Sequence, residues 1–330
     1  FLGIGTTSDD SHIVVHVGNQ ETTEIWLIPA AEPTRPPFVA EPRQIGVKYD
    51  LDHWTDRWVI RTNADEAVDF KLTTSDAEIP ARSTWTDFVA HQPGRFITGF
   101  AAFAGHLVRA ERVNANDRIV VMPRDGEEHE IAFDEEAYAL SLEGGFEYDT
   151  ALTRFVYQSP TTPRQWFDYD MTSRERTLRK TQEIPSGHDP ARYVARRLYA
   201  AAKDGAQVPI TVLMLKDTPL DSSAPLLLYG YGSYGHAMEP SFSIRNLSLV
   251  DRGWIWAVAH IRGGSDKGWG WFLDGRKDKK TNTFTDFIAL MSFSLNIGRE
   301  LYSPLFILPI AIASRRRWRT PQPTFFAALS

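Results

Sequence analysis

The segment PLLLYGYGSYG, residues 225–235, has glycine spacing and polar side chains that could support chemistry. Its three glycines fit G-x-G-x-x-G, which in dinucleotide-binding folds opens a helix whose N-terminus holds a pyrophosphate. Here HAMEP follows, so Pro240 delays any helix. The acidic partner should end the second strand of such a unit, whereas Asp251 precedes the next apolar run. The pattern therefore does not predict a dinucleotide site.

Ser233 is the hydroxyl in this segment that could act as a hydrolase nucleophile. A nucleophile elbow needs G-x-S-x-G between a strand and a helix. Tyr231 stands where the first glycine is required, and no helix follows at once. We therefore predict that Ser233 is a turn residue.

A tyrosine in this segment could instead act as an electrophile. A phenol at the end of a buried strand, between glycines, can donate a hydrogen bond to a developing oxyanion. One such donor contributes about 3–4 kcal/mol to acyl-transfer catalysis. The alternative is that the tyrosines only pack the turn, and composition alone does not separate the two.

The elements that would position this segment alternate between strand and helix. Residues 193–216 predict a hairpin, PLLLYG and WIWAVAHI predict buried strands, and the intervening SFSIRNLSLVDRG predicts a helix that ends at Gly253. TNTFTDFIALM predicts a further helix with Asn282 or Thr283 as N-cap. This order predicts a doubly wound, largely parallel sheet. YGYGSYG and HIRGG would both lie at the carboxyl ends of strands, where such sheets carry their sites.

The first half of the chain is a repeat of short β-rich runs. Equivalent positions recur at intervals of 46 to 48 residues, namely His12, Trp58, His106 and Arg154. Four-stranded units at this period are typical of β-propeller blades. A β-sandwich is the alternative, but its strands need not recur at a fixed period. We predict four blades.

The amino-acid composition and net charge exclude several classes of protein. Hydrophobic residues make up 42% of the 330-residue chain, enough for a buried core. The net charge of -6 argues against nucleic-acid binding. The absence of cysteine excludes disulfides and favours a reducing compartment, so we predict a cytoplasmic protein. The histidines of the first half are dispersed, and we predict neither a metal nor a cofactor.

Several motifs together resemble the prolyl oligopeptidase family, in particular its oligopeptidase B branch, which cleaves after Arg or Lys. They are APLLLYGYGSYG, LSLVDRGWIWAVAHIRGG, KKTNTFTDFIA, YDLDHWTDRWVIRTN and FEYDTALTRFVYQSPTTPRQWFDYD. The resemblance implies part of a seven-bladed propeller, about four blades, followed by the start of an α/β-hydrolase domain. We expect propeller blades over residues 1–187, the hydrolase part over 188–289, and an aberrant tail over 290–330.

The resemblance also implies site residues. Tyr231 matches the oxyanion-hole tyrosine of the family, and Tyr234 matches an aromatic position that lines the substrate cleft. Arg262 and the two glycines after it match a structural loop, to which we assign no chemistry. The expected partners are short peptides with basic residues, with no nucleic acid or membrane.

The catalytic serine, aspartate and histidine of the family are not found in this sequence. Where a G-x-S-x-G-G elbow is due stands RRRWR, and the 41 residues after Ala289 contain no lysine and one acidic residue, Glu300. Glycine-rich codons read in another frame give arginine-rich peptide, so we hypothesise a frameshift near Ala289. The run LYSPLFILPIAIAS is shorter than the roughly 20 residues of a membrane span.

These features predict an inactive fragment of a serine oligopeptidase. An upstream portion is also expected, and unpaired apolar strand edges would promote aggregation. One alternative is a non-catalytic propeller module that binds a protein partner. Another is a hydrolase that uses Ser233.

Overall fold

The structure is a computed structural model that describes residues 1–144, 147–221 and 223–296, with side chains up to Ser292, together with the backbone of residues 306–307. The first sixteen strands form four antiparallel four-stranded sheets, each a meander in chain order. The first two sheets contain Leu2–Thr6 (β1), His12–Gly18 (β2), Thr23–Pro29 (β3), Phe38–Val39 (β4), Tyr49–Trp54 (β5), Arg57–Thr62 (β6), Lys71–Ser75 (β7) and Thr86–Val89 (β8). The next two contain Phe96–Phe103 (β9), His106–Val113 (β10), Asn116–Pro123 (β11), His129–Glu130 (β12), Ala139–Glu143 (β13), Leu152–Gln158 (β14), Gln165–Asp170 (β15) and Arg176–Thr181 (β16).

These four sheets confirm the predicted repeat. The four marker positions of the sequence period all fall on the second strand of their sheet, which is β2, β6, β10 or β14. Each sheet shares an apolar core with the next one along the chain, as propeller blades do. A β-sandwich has only two sheets and one core between them. The buried pairs at the three interfaces include Leu27 and Ile60, Leu72 and Leu107, and Val121 and Phe155.

A fifth sheet follows the blades and has the order β17-β18-β20-β19-β21. Its strands are Tyr193–Ala201 (β17), Gln207–Leu215 (β18), Leu226–Gly230 (β19), Ile255–Ala259 (β20) and Phe306–Ile307 (β21). The helices of this α/β unit are Ile244–Val250 (α1), Trp269–Leu273 (α2) and Thr281–Asn296 (α3). The pairings of β19 with β20 and β21 are parallel, whereas β18 pairs antiparallel with both β17 and β20. The expectation of a largely parallel sheet is therefore wrong for the described part, because the hairpin enters the sheet antiparallel.

Helices cover both faces of this sheet, as predicted. Phe287 and Leu290 of α3 pack with Leu228 and Ala257 on one face. Leu247 and Val250 of α1 pack with Leu213 on the other. β19 and β20 carry large apolar side chains towards both layers, which explains their continuous apolar sequence.

Helix α3 begins earlier than the sequence indicates. Thr281 is its first residue, so Asn282 and Thr283 lie inside the helix and neither is the N-cap. Their side chains instead donate to backbone carbonyls of the preceding loops, Asn282 to Asp274 and Thr283 to Arg262. The helix continues past Ala289, the boundary expected from the sequence, whereas the arginine-rich segment lies outside the described residues. None of the helices described is long and apolar enough to cross a membrane.

The blades contact the α/β unit through the turns between their second and third strands. Glu21, in the β2–β3 turn, accepts from the Arg276 side chain at 2.6 Å. Ala115, in the β10–β11 turn, donates its backbone N–H to the Asp266 carbonyl at 2.8 Å. One end of the propeller therefore lies against the loops that surround the end of β20.

Candidate active site

The YGYGSYG segment lies where the sequence predicts it, at the carboxyl end of a central strand. Gly230 is the last residue of β19 and is in register with Ala259, the last residue of β20. Because the two strands are parallel, the segments that follow them leave the same edge of the sheet. The Gly235 N–H donates to the Gly263 carbonyl at 3.0 Å. The two glycine-containing segments therefore form one packed turn region.

Gly232 is required by space as well as by conformation. Its φ is +60°, a left-handed value that favours glycine. A Cβ built there would lie 2.6 Å from Thr283 Cγ2 and 2.9 Å from the Arg262 carbonyl oxygen. The turn is therefore wedged between the end of β20 and the first turn of α3, which explains why small residues flank the tyrosines.

Tyr231, the expected oxyanion donor, is partly buried and directly follows the last residue of β19. Its ring meets that of His236 edge-on, at 5.7 Å and 89°. No hydrogen bond to its hydroxyl is formed within the part of the chain that the structure describes. A partly exposed phenol of this kind retains its capacity to donate to a ligand.

Tyr234, the expected cleft residue, projects from the same turn into solvent. Its side chain is 56% exposed, and its φ of +58° is uncommon for a non-glycine residue. An exposed aromatic ring on a constrained backbone can provide contact area for a ligand.

Ser233 does not have the surroundings of an activated nucleophile. Its Oγ accepts a hydrogen bond from Lys280 Nζ at 2.9 Å, and an ammonium group cannot take the serine proton. Its carbonyl accepts the His236 N–H at 3.1 Å, which closes a turn. The geometry agrees with the prediction that Ser233 is a turn residue.

Lys280 is a contact that the sequence analysis did not identify. Its Nζ also donates to the Gly232 carbonyl, so one ammonium group holds two consecutive residues of the turn. Burial lowers the pKa of Lys280 below its ordinary value. The sequence gives no signal for this contact, because a lysine in a charged segment before a helix usually lies in solvent.

Arg262 occupies a structural position, as expected. It is nearly buried and bonds to Asp286 at 2.5 Å and to Asp204 at 2.6 Å. Hydrogen bonds with Asp286, and then with Asp204, raise the pKa of the guanidinium. The ion pairs tie the end of β20 to α3 and to the β17–β18 turn, which supports the floor of the site.

A second constellation looks like a catalytic triad by distance alone. Thr211 Oγ1 lies 2.7 Å from His260 Nε2, and His260 Nδ1 lies 2.8 Å from Asp266 Oδ1. Thr211 also lines a cavity of about 550 Å³ beside α1. Burial, followed by the charge of Arg197, lowers the pKa of His260 to about 4. A general base must become an imidazolium ion when it takes a proton, and this environment opposes that, so the triad is structural.

No group of three His, Asp or Glu side chains suited to a metal ion is found among the described residues. The site as described consists of the tyrosine turn, Lys280 and the loop around Arg262. It offers hydrogen-bond donors and aromatic surface at the edge of a sheet.

Two family models match the chain. The N-terminal β-propeller domain of prolyl oligopeptidase matches residues 1–182, and the prolyl oligopeptidase family matches residues 240–299. The chain belongs to the prolyl oligopeptidase family. The first match contains all four blades, and the second begins just after the tyrosine turn and includes α1 to α3.

Individual relatives agree with this assignment. Dipeptidyl aminopeptidase BI of Pseudoxanthomonas mexicana is 42% identical over 299 residues, which are 90% of this chain and 41% of that protein. Protease 2 of Moraxella lacunata is 32% identical, over 87% of this chain and 41% of its own length. The structure of oligopeptidase B from Leishmania major superposes with a TM-score of 0.86 at 33% identity, covering 93% of this chain and 44% of that one. The chain thus spans about two fifths of these prolyl oligopeptidase relatives.

Proposed function

We propose that this chain is part of a cytoplasmic serine oligopeptidase that cleaves short peptides after Arg or Lys through an acyl-enzyme. The observation that carries the proposal is the position of Tyr231, on a packed turn at the carboxyl end of a central strand, with a hydroxyl that bonds to no residue the structure describes. Similarity to Protease 2 and oligopeptidase B supports the peptidase class. The cysteine-free composition supports a reducing compartment.

In this proposal Tyr231 stabilises the tetrahedral intermediate. Attack on a peptide carbonyl places negative charge on its oxygen, and a pre-positioned phenol donates to that oxygen without reorganisation. Tyr234 would contact the substrate from the exposed side of the same turn. The fixed backbone matters because hydrogen-bond energy is gained only if the donor already points at the oxyanion.

We further propose that the 330 residues by themselves do not hydrolyse peptides. The sequence contains no G-x-S-x-G segment, and among the described residues no histidine or carboxylate bonds to Ser233 Oγ, which meets Lys280. Without nucleophile and base, the acyl-enzyme can be neither formed nor resolved. We expect the purified chain to leave an Arg-containing fluorogenic dipeptide uncleaved.

A chimera tests the proposed chemistry directly. Residues 1–289 of this chain replace the aligned segment of the Pseudoxanthomonas relative, whose remaining residues are kept. The kcat and KM of this chimera are measured with Arg- and Lys-containing fluorogenic peptides. We expect inhibitor-sensitive turnover by the chimera and a fall in kcat of about 100-fold in its Tyr231→Phe variant. Ser233→Ala should retain activity. A folded chimera without turnover would favour the alternative of a non-catalytic binding module.

A second candidate is the removal of dipeptides from peptide N-termini. The observation that favours it is the 42% identity with a protein named dipeptidyl aminopeptidase. Mass spectrometry of products from a ten-residue peptide with an internal Arg separates the two. Cleavage at the internal Arg supports the endopeptidase, whereas successive loss of N-terminal dipeptides supports the second candidate.

A further inference from the structure

We propose that Lys280 is a positioning residue for the oxyanion turn, fixing the backbone that follows Tyr231 so that the phenol points at the reacting carbonyl. This inference rests on the proposed function of Tyr231. Lys280 itself would not touch the substrate.

Lys280 bonds to the two residues that directly follow Tyr231. Its Nζ donates to the carbonyl of Gly232, the residue directly after Tyr231, and to Ser233 Oγ at 2.9 Å. Among the residues described, neither acceptor has another hydrogen-bond donor. The orientation of the Gly232–Ser233 peptide therefore depends on this side chain.

The remaining anchors of the turn lie elsewhere. The backbone bond from Gly235 to Gly263 holds its far end. Contacts with Thr283 and Ile261 fill the space around the Gly232 Cα atom. These packing contacts limit translation, but a glycine between them still has wide freedom of peptide rotation. A charged donor on the carbonyl removes that freedom.

The ion pairs of residues 277–280, KDKK, also distinguish Lys280 from the neighbouring lysines. Lys277 pairs with Glu21 at 2.9 Å, and Lys279 pairs with Asp274 at 2.8 Å. Lys280 forms no ion pair with any carboxylate that the structure describes, and its partly buried ammonium faces the turn. Charge-assisted hydrogen bonds to neutral acceptors are stronger than neutral ones, so the bonds are well suited to a positioning role.

Hydrogen exchange on the full 330-residue chain tests the contact without any need for activity. The peptide that contains residues 231–236 is followed by mass spectrometry in the wild type, Lys280→Met, Lys280→Arg and the neighbouring control Lys279→Met. We expect exchange of this segment to accelerate about 10-fold in Lys280→Met, with Lys280→Arg and Lys279→Met close to wild type. Unchanged exchange in Lys280→Met would overturn the proposal. If that variant does not fold, Lys280→Gln provides the same comparison.

Kinetics of the chimera then separate positioning from general stability. We expect Lys280→Met to lower kcat about 10- to 100-fold with KM within 2-fold, because misplacement of a donor affects the transition state more than substrate binding. Lys280→Arg should recover much of kcat. Equal losses in the Met and Arg variants, or a change confined to KM, would overturn the inference. An inactive wild-type chimera would instead contradict the proposed function and leave the exchange result to decide the role of Lys280.

Discussion

Asp69, in the β6–β7 turn of the second blade, accepts the backbone N–H of Trp269 in the hydrolase domain at 2.6 Å. The same carboxylate accepts the Gly94 N–H at 2.7 Å and is 5% exposed. The Trp269 ring packs against Phe70 and Phe96 of the blades. A single buried carboxylate thus joins two blades to the first turn of α2, and the propeller and the hydrolase domain share this contact.

Asp69→Ala should destabilise the contact between the domains. It removes the acceptor of the partly buried N–H groups of Trp269 and Gly94, and an unsatisfied buried group costs up to about 1–3 kcal/mol. We expect a lower urea midpoint and faster proteolysis of the segment between β16 and β17. Asp76→Ala, at a largely exposed carboxylate, is the control and should leave both measurements unchanged. Equal behaviour of the two variants would contradict the importance of the buried contact.

Gly232→Ala should be more destabilising than Gly253→Ala. Both glycines have positive φ, +60° and +83°, so both substitutions carry the left-handed strain of about 1–2 kcal/mol. Only Gly232 also lacks room, since a Cβ at Gly253 meets nothing within 4 Å. We expect overpacking to add about 1–3 kcal/mol at Gly232, measured by urea denaturation. Equal losses would show that conformation alone explains the requirement for glycine.

Asp286→Asn should weaken the fold strongly, because it leaves the nearly buried Arg262 without its closest partner. Breaking a buried ion pair from one side typically costs about 3–5 kcal/mol. Thermal unfolding of this variant is compared with that of Asp274→Asn, which breaks the exposed pair with Lys279. We expect a lower Tm for Asp286→Asn and no change for the control. Similar Tm values for the two variants would contradict the structural role assigned to Arg262.

The stability of the chain should fall as pH is lowered from about 6.5 to about 4. Burial lowers the pKa of His260 to about 4, whereas the ordinary value is 6.5. In this window the unfolded chain binds a proton that the folded chain excludes, so acid favours unfolding by on the order of 3 kcal/mol. We expect His260→Asn, compared by urea denaturation at pH 7 and pH 4.5, to lose less stability on acidification than the wild type. Equal losses would place the responsible group elsewhere.

The sequence predicts the local elements well because their patterns depend on near neighbours. The repeat of 46 to 48 residues that begins with His12 and Trp58 identifies the blades. Apolar runs that end at glycine-containing segments identify β19 and β20. The N-cap of α3 was missed because the side chains of Asn282 and Thr283 are used by loops that arrive from other parts of the chain. The direction of the β17–β18 hairpin within the sheet likewise depends on packing that no local pattern contains.

The candidate site also has one part that the sequence predicts and one part that only the tertiary structure shows. The sequence by itself determined the turn around Tyr231, since glycines next to a strand end favour its left-handed backbone, and it argued against Ser233 by the lack of an elbow. The tertiary structure decided which side chains meet the turn. Lys280 lies 49 residues from Tyr231, and Asp286 lies 24 residues from Arg262. Such contacts form only when parallel strands bring their carboxyl ends together and a helix packs beside them, because side-chain chemistry acts over a few ångströms of space and not over distance along the chain.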